Sequence, residues 1–193
     1  MKIKNILWIF SLLIACSSFA QKDKVFSWSE AQKEDPLAVT HISFKGTKLS
    51  AVPAELERYK NLQFLDLSKT KLKDLSFFEK LDFDSLKILK IERNKMKQTP
   101  IALCRLVNLE ELWAYDNQFT DLPTCIGNLK KLKIIDLSDN MIENLPDELT
   151  KLKHLERLYL NGMILDKYFQ EKWSKKLPNV AIEFGQPCDC MSH

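Results

Sequence analysis

The sequence predicts an α/β solenoid, a coil in which short strands stack in parallel and short helical segments return the chain. Two observations predict it. The spelling LxxLxLxx(N/T)xL recurs from Val39, Leu62, Leu86, Leu109, Leu132 and Leu155, at steps of 23, 24, 23, 23 and 23 residues, and a fixed period of this size marks one supersecondary unit copied along the chain. Within each copy the apolar pattern also changes character, from strand-like alternation to a proline-led return.

The strand comes first. In LEELWAYDN the apolar Leu109, Leu112 and Ala114 alternate with polar or exposed positions, because neighbouring side chains on a strand point to opposite faces. A short polar residue follows at a fixed place (Thr47, Thr70, Asn94, Asn117, Asn140), where the backbone leaves the sheet and its amides and carbonyls need partners inside the coil. Next come an apolar residue and, in most copies, a proline pair: Val52-Pro53, Thr99-Pro100, Leu122-Pro123 and Leu145-Pro146. Proline stops a strand from continuing. The return segment is helical or 3₁₀ and carries Leu56, Leu103 and Leu106, Ile126 and Leu129, or Leu149 and Leu152. One copy cannot bury its own apolar side, but five or six stacked copies bury a continuous core. Leu112, Ile135 and Leu137 are expected to point into it.

These residues make the chain resemble the leucine-rich repeat family, in particular its 23-residue class with an LxxLPxxL second half. The resemblance covers Val39 to Leu165 and implies a curved solenoid whose strands line the concave side. Three departures stand out. The second copy lacks the proline and carries one extra residue, and the fourth has Ala114 where Leu is usual; both predict local bulging or looser packing. The sixth has Met163 at the Asn place and then leaves the pattern, which marks the end of the repeats.

Terminal copies of a solenoid must be closed. Before the first repeat, Ser27-Trp28-Ser29-Glu30 spells a capping box that starts a short helix through Lys33, ended by Asp35-Pro36. After the last, Tyr168, Phe169 and Trp173 sit at helical spacing, and Leu177-Pro178-Asn179 leads into a strand-like Val180 to Phe184. Trp28 and Trp173 are expected in the cores of these caps. The first residues have a different nature. Lys2 and Lys4 precede an apolar run from Ile6 to Ala15, and Ser18-Phe19-Ala20 offers a cleavage site before Gln21, the layout of a secretory signal peptide. Leu13-Ile14-Ala15-Cys16 resembles a bacterial lipobox, so free secretion and a lipid anchor at Cys16 both stay open. The run is shorter than the roughly 20 residues needed to span a bilayer. The expected organisation is a signal peptide at 1–20, an N-terminal cap at 21–38, repeats at 39–165, and a C-terminal cap and tail at 166–193. A secreted or cell-envelope location follows, with membrane contact only through Cys16.

Charge excludes a nucleic-acid role. The chain carries +3, falling to +1 without Lys2 and Lys4, which is no nucleic-acid footprint. The distribution is uneven all the same, basic from Lys60 to Lys97 and acidic from Glu110 to Glu148. Four cysteines follow Ala20, and in an oxidising compartment they can pair in three ways. Cys104 aligns with Gly127 and Thr150 and is expected as a small, partly buried thiol; Cys125 falls at a more exposed place one copy on. The tail residues Cys188, Cys190 and His193 are a weak metal signal, and a disulfide involving Cys188 or Cys190 is the alternative. No metal or cofactor is assigned.

His41, Ser43 and Asp66 fall on neighbouring strand positions and superficially resemble a nucleophile, base and orienter. Nothing else supports catalysis: the chain has four glycines, no glycine-rich elbow and no oxyanion hole. The expectation is a non-enzymatic binding module for a protein, peptide or glycan. Its site is placed where Glu111, Trp113 and Tyr115 flank the inward residues of the middle copy, with Trp113, Tyr115 and Tyr159 as anchors and Arg93, Asp116 and Asp136 setting orientation. The alternative is a structural or assembly component of the envelope that packs by its convex side or edge.

Overall fold

The computed structural model describes residues 24–80 and 82–185. The expectations for the leader at 1–20, for Cys16, and for Cys188, Cys190 and His193 lie outside the described residues.

Among the described residues, β1 (Phe26–Ser27), β2 (His41–Ser43), β3 (Phe64–Asp66), β4 (Ile88–Lys90), β5 (Glu111–Trp113), β6 (Ile134–Asp136), β7 (Arg157–Leu160) and β8 (Ala181–Phe184) form one sheet in sequence order. Every pairing is parallel. The register repeats the sequence phase. Ile42, Leu65, Leu89, Leu112, Ile135 and Leu158 are successive Cα partners, and all are buried on the inner face. One step further along, Leu67, Ile91, Ala114, Leu137 and Leu160 form a second buried row.

The returns are 3₁₀ helices at Ala54–Arg58, Ser76–Glu79, Ile101–Arg105, Thr124–Asn128 and Asp147–Lys151. Four of them begin immediately after Pro53, Pro100, Pro123 or Pro146, since proline fixes φ and needs no hydrogen bond for its missing N–H. The copy without proline has the shorter helix, of four residues. Ala114 is 2% exposed, so the small residue leaves no surface opening there.

The fixed polar residue does what its position requires. Asn117 Nδ2 donates to Ile91 O at 3.0 Å and Ala114 O at 3.1 Å, while its Oδ1 accepts from Asn94 N at 3.2 Å and Met96 N at 3.0 Å. Asn94 and Asn140 repeat the arrangement one copy to either side. Asn117→Ala therefore orphans the Asn94 and Met96 amides at a 6% exposed site, whereas Ile91 O and Ala114 O keep Asn94 Nδ2 and Asn140 Nδ2 as donors; each unsatisfied buried group costs about 1–3 kcal/mol. Chemical denaturation should show a loss of at least about 1 kcal/mol, and an unchanged midpoint would contradict this role.

Flanking elements adjoin both ends of the sheet. Ser27 caps α1 (Trp28–Ala31) in a capping box with Glu30; the helix stops at Ala31 rather than Lys33. Trp28 stacks on Phe44 at 5.3 Å between ring centroids and lies 5.6 Å from Tyr59. Asp166 caps α2 (Lys167–Lys176), accepting from Phe169 N at 2.7 Å. Phe169 and Trp173 turn inward, four residues apart on one helix face, whereas Tyr168 falls off that face and is 75% exposed.

The expected free thiol at Cys104 is corrected. Cys104 and Cys125 form a disulfide with Cα atoms 5.7 Å apart, joining the 3₁₀ returns of adjacent copies. Copy alignment matches Cys104 with Gly127, but across the returns the spatial neighbour lies 21 residues on. The next pair along shows the same offset: a Cβ added at Gly127 would meet Glu148 Cβ and O at 2.9 Å. Backbones approach so closely there that one copy holds a disulfide and the next has no room for a side chain.

Candidate functional site

A parallel sheet usually has both faces covered. Here the coil covers one, and the other carries two rows of side chains facing away from the core. The first row runs His41, Phe64, Ile88, Glu111, Ile134, Arg157; the second runs Ser43, Asp66, Lys90, Trp113, Asp136, Tyr159. Each strand contributes one residue to each row because its buried residue lies between them.

Trp113 and Tyr159 stand two strands apart, about 10 Å at normal strand spacing, yet their ring centroids are 6.3 Å apart and nearly parallel. The rings lean toward each other across β6. Asp136 lies between them in register and is only 9% exposed, and its Oδ1 accepts from Ser138 N at 2.9 Å. Lys90 Nζ is 5.2 Å from the Trp113 ring on the opposite side, within cation–π range. Trp113 Nε1 donates to Glu111 Oε2 at 2.8 Å. Arg157 donates to Tyr159 Oη at 3.2 Å, and this bond holds the guanidinium above its usual pKa. Indole and phenol are thus fixed in orientation while remaining half-exposed.

Tyr115, Arg93 and Asp116 form a second group. The Arg93 guanidinium carbon lies 5.3 Å from the Tyr115 ring, and Arg93 Nε is 3.5 Å from Asp116 Oδ2. The six residues singled out from sequence therefore divide into a ring pair with Asp136 between its strands, and an adjoining Tyr115–Arg93–Asp116 group. The sequence reasoning missed Phe64, Ile88 and Ile134, half-buried apolar residues of the first row. Their signal was available, since each stands immediately before an inward Leu or Ile at a position that other copies fill with charge.

The His41, Ser43 and Asp66 trio has a structural explanation. Ser43 Oγ donates to Asp66 Oδ2 at 3.4 Å, and His41 stacks on Phe64 with centroids 5.6 Å apart. Ser43 and Asp66 also accept from the backbone N–H two residues on, as Asp136 does. A strand-end cap is the shared role.

The signature of a leucine-rich repeat region matches residues 77–172, over the copies whose phase the register reproduces. Solved structures of similar fold are themselves leucine-rich repeat proteins. This chain is a leucine-rich repeat protein. Internalin C2 of Listeria monocytogenes is 25% identical with a TM-score of 0.63, covering 76% of this chain and 62% of that one. A leucine-rich repeat protein of Leptospira interrogans is 24% identical with a TM-score of 0.51, covering 77% and 49%. A second Listeria internalin, 17% identical with a TM-score of 0.58, covers 78% and 49%. The chain thus spans about half to three-fifths of the length of these structures. A probable serine/threonine-protein kinase of Dictyostelium discoideum is 35% identical over 74 residues, which is 37% of this leucine-rich repeat protein and 6% of the kinase. Among the described residues no helix is long and apolar enough to cross a membrane. The fold is that of a protein-interaction module.

Proposed function

We propose that this leucine-rich repeat protein acts outside the cytoplasm as a non-catalytic recognition module, binding a protein, peptide or glycan partner on its open sheet face. The observation that carries this reading is the leaning Trp113–Tyr159 pair, half-exposed and held by Lys90, Glu111 and Arg157. Large rigid rings gain most from desolvation when a partner covers them, and surrounding charges exclude water and set orientation. Tyr115, Arg93 and Asp116 extend the surface to one side, and Phe64, Ile88 and Ile134 extend it along the sheet. The flanking elements at 21–38 and 166–193 serve as caps. Export is supported by the leader spelling at 1–20, followed by cleavage before Gln21 or lipid modification at Cys16. It is also supported by the Cys104–Cys125 disulfide, a bond that persists in oxidising compartments.

The test is affinity capture from surface and secreted fractions, followed by titration of the recovered partner. Trp113→Ala with Tyr115→Ala should weaken that partner at least about tenfold, or roughly 1.4 kcal/mol, with the melting temperature nearly unchanged. Retained binding, or collapse of the fold, would make the rings a packing feature.

One observation favours assembly into a larger envelope structure instead. Met141 and Ile164 occupy equivalent positions of adjacent copies outside the sheet and are 60% and 84% exposed. Under that reading, Met141→Ser with Ile164→Ser abolishes partner capture and the aromatic double change does not.

A further inference from the structure

A second feature lies beside the sheet rather than on it. The turns that leave β3 and β4 border an open groove of about 1290 Å³, larger than the roughly 300–1,000 Å³ of drug-sized ligand sites.

Cations line this groove in register. Lys69 and Arg93, Lys71 and Lys95, and Lys73 and Lys97 are three equivalent pairs on successive copies, 24 residues apart. Arg93 pairs with Asp116, but among the described residues none of the five lysines has a carboxylate within ion-pair distance. Of the three acids in the lining, Asp74 is bonded to Ser76 N and Oγ. In the next two copies the three positions carry Asp116, Gln118 and Thr120, then Asp139, Met141 and Glu143, and the first copy contributes Lys48 alone, so the paired cations are concentrated at this groove.

The backbone sharpens the point. Gly46, Lys69, Arg93, Asp116, Asp139 and Gly162 share one turn position, and all have positive φ. Glycine and aspartate adopt that conformation at little cost, whereas other side chains cost about 1 kcal/mol or more. Lys69 and Arg93 nonetheless occupy it, and Lys71 and Lys95 adopt positive φ two residues later. Four cations are thus held in a conformation that cheaper residues would satisfy, which points from strain to function.

The remaining lining identifies the ligand's chemistry. Ile101 is 74% exposed and lies with Pro100 and Pro123 in the groove, while Gln98 and Thr120 add an exposed amide and hydroxyl. Apolar patches beside hydrogen-bonding groups suit the C–H faces and hydroxyls of sugar rings. No described lining residue is aromatic, whereas single-stranded nucleic acids are held largely by stacking on aromatic rings.

We propose that this groove binds an anionic polysaccharide, its carboxylate or sulfate groups meeting the Lys69–Arg93, Lys71–Lys95 and Lys73–Lys97 pairs. The test titrates the full chain with size-matched polygalacturonate and dextran sulfate oligomers, with neutral dextran and with phosphatidylglycerol vesicles. One variant carries Lys73→Glu and Lys97→Glu at exposed positions of ordinary φ. A second adds Lys71→Asn and Lys95→Asn, since asparagine tolerates positive φ. A control of equal charge change carries Lys153→Glu and Lys175→Glu.

Expected are binding of at least one anionic oligomer but not of neutral dextran, a loss of about tenfold or more in each groove variant, a shallower salt dependence, and unchanged affinity in the control. Equal loss in control and groove variants, unaltered binding in the Lys73→Glu/Lys97→Glu variant, or preference for the vesicles over both oligomers would overturn the proposal. If the four-residue variant fails to fold, the two-residue variant alone decides.

Discussion

Leu137→Ala should destabilise the chain by about 2–5 kcal/mol, toward the upper end of the range for a buried leucine. Leu137 is fully buried and stands in the inner row between Ala114 and Leu160, the equivalent residues of the neighbouring copies. Ala114 has already removed three carbons from that row. A second alanine beside it would join two small residues into one void that neighbouring strands, held by their ladders, cannot close. The penalty of a large-to-small change grows with the cavity left behind. Leu67→Ala, between Phe44 and Ile91, supplies the comparison and should cost less. Urea unfolding of both variants gives the values. A loss below about 1 kcal/mol for Leu137→Ala would show that the row does not pack as one layer.

Removing the Cys104–Cys125 bridge should cost about 3 kcal/mol, the loop-closure value for 21 residues of separation. Reduction of the native chain and the change Cys104→Ser with Cys125→Ser should lower the denaturation midpoint by similar amounts. The double variant should then be insensitive to reductant. A native chain whose midpoint ignores reductant would mean that the two sulfurs are not bonded. Nearest-neighbour coupling dominates solenoid stability, so the effect should concentrate at the boundary between the third and fourth copies, where amide exchange would report it.

How much the sequence disclosed depends on which kind of neighbour was asked about. Leu112, Ile135 and Leu158 are adjacent in space because they are equivalent in sequence, so a period of 23 reads them off directly. Asn94, Asn117 and Asn140 were legible for the same reason, together with their role at the turn. The disulfide was not. Copy alignment compares a residue with its equivalent, but the 3₁₀ returns cross so that Cys104 meets a residue two positions short of that equivalent. The candidate surface was half legible. Alternation placed Trp113, Tyr115 and Tyr159 outside the core, but the contact of Trp113 with Tyr159 skips a whole copy and depends on both rings leaning over Asp136. Phe64, Ile88 and Ile134 escaped notice because their position varies between copies, and a pattern built on constant positions looks past variable ones.

The asparagine ladder has a direction. Asn94 bonds to the turn of the second copy, Asn117 to that of the third and Asn140 to that of the fourth. Each turn is completed from the C-terminal side and never, in these bonds, from the N-terminal side. Insertion of a further copy in the middle preserves this relation, since the newcomer is completed by its successor and completes its predecessor. Loss of copies from the C-terminal end breaks it at once, leaving the last remaining turn with open amides. Met163, which has no amide to offer, falls where a fourth asparagine would be, so the succession stops there by chemistry rather than by length. Such a coil is an ordered queue: it can grow by internal duplication, while its end is defined by one residue that cannot serve the copy before it.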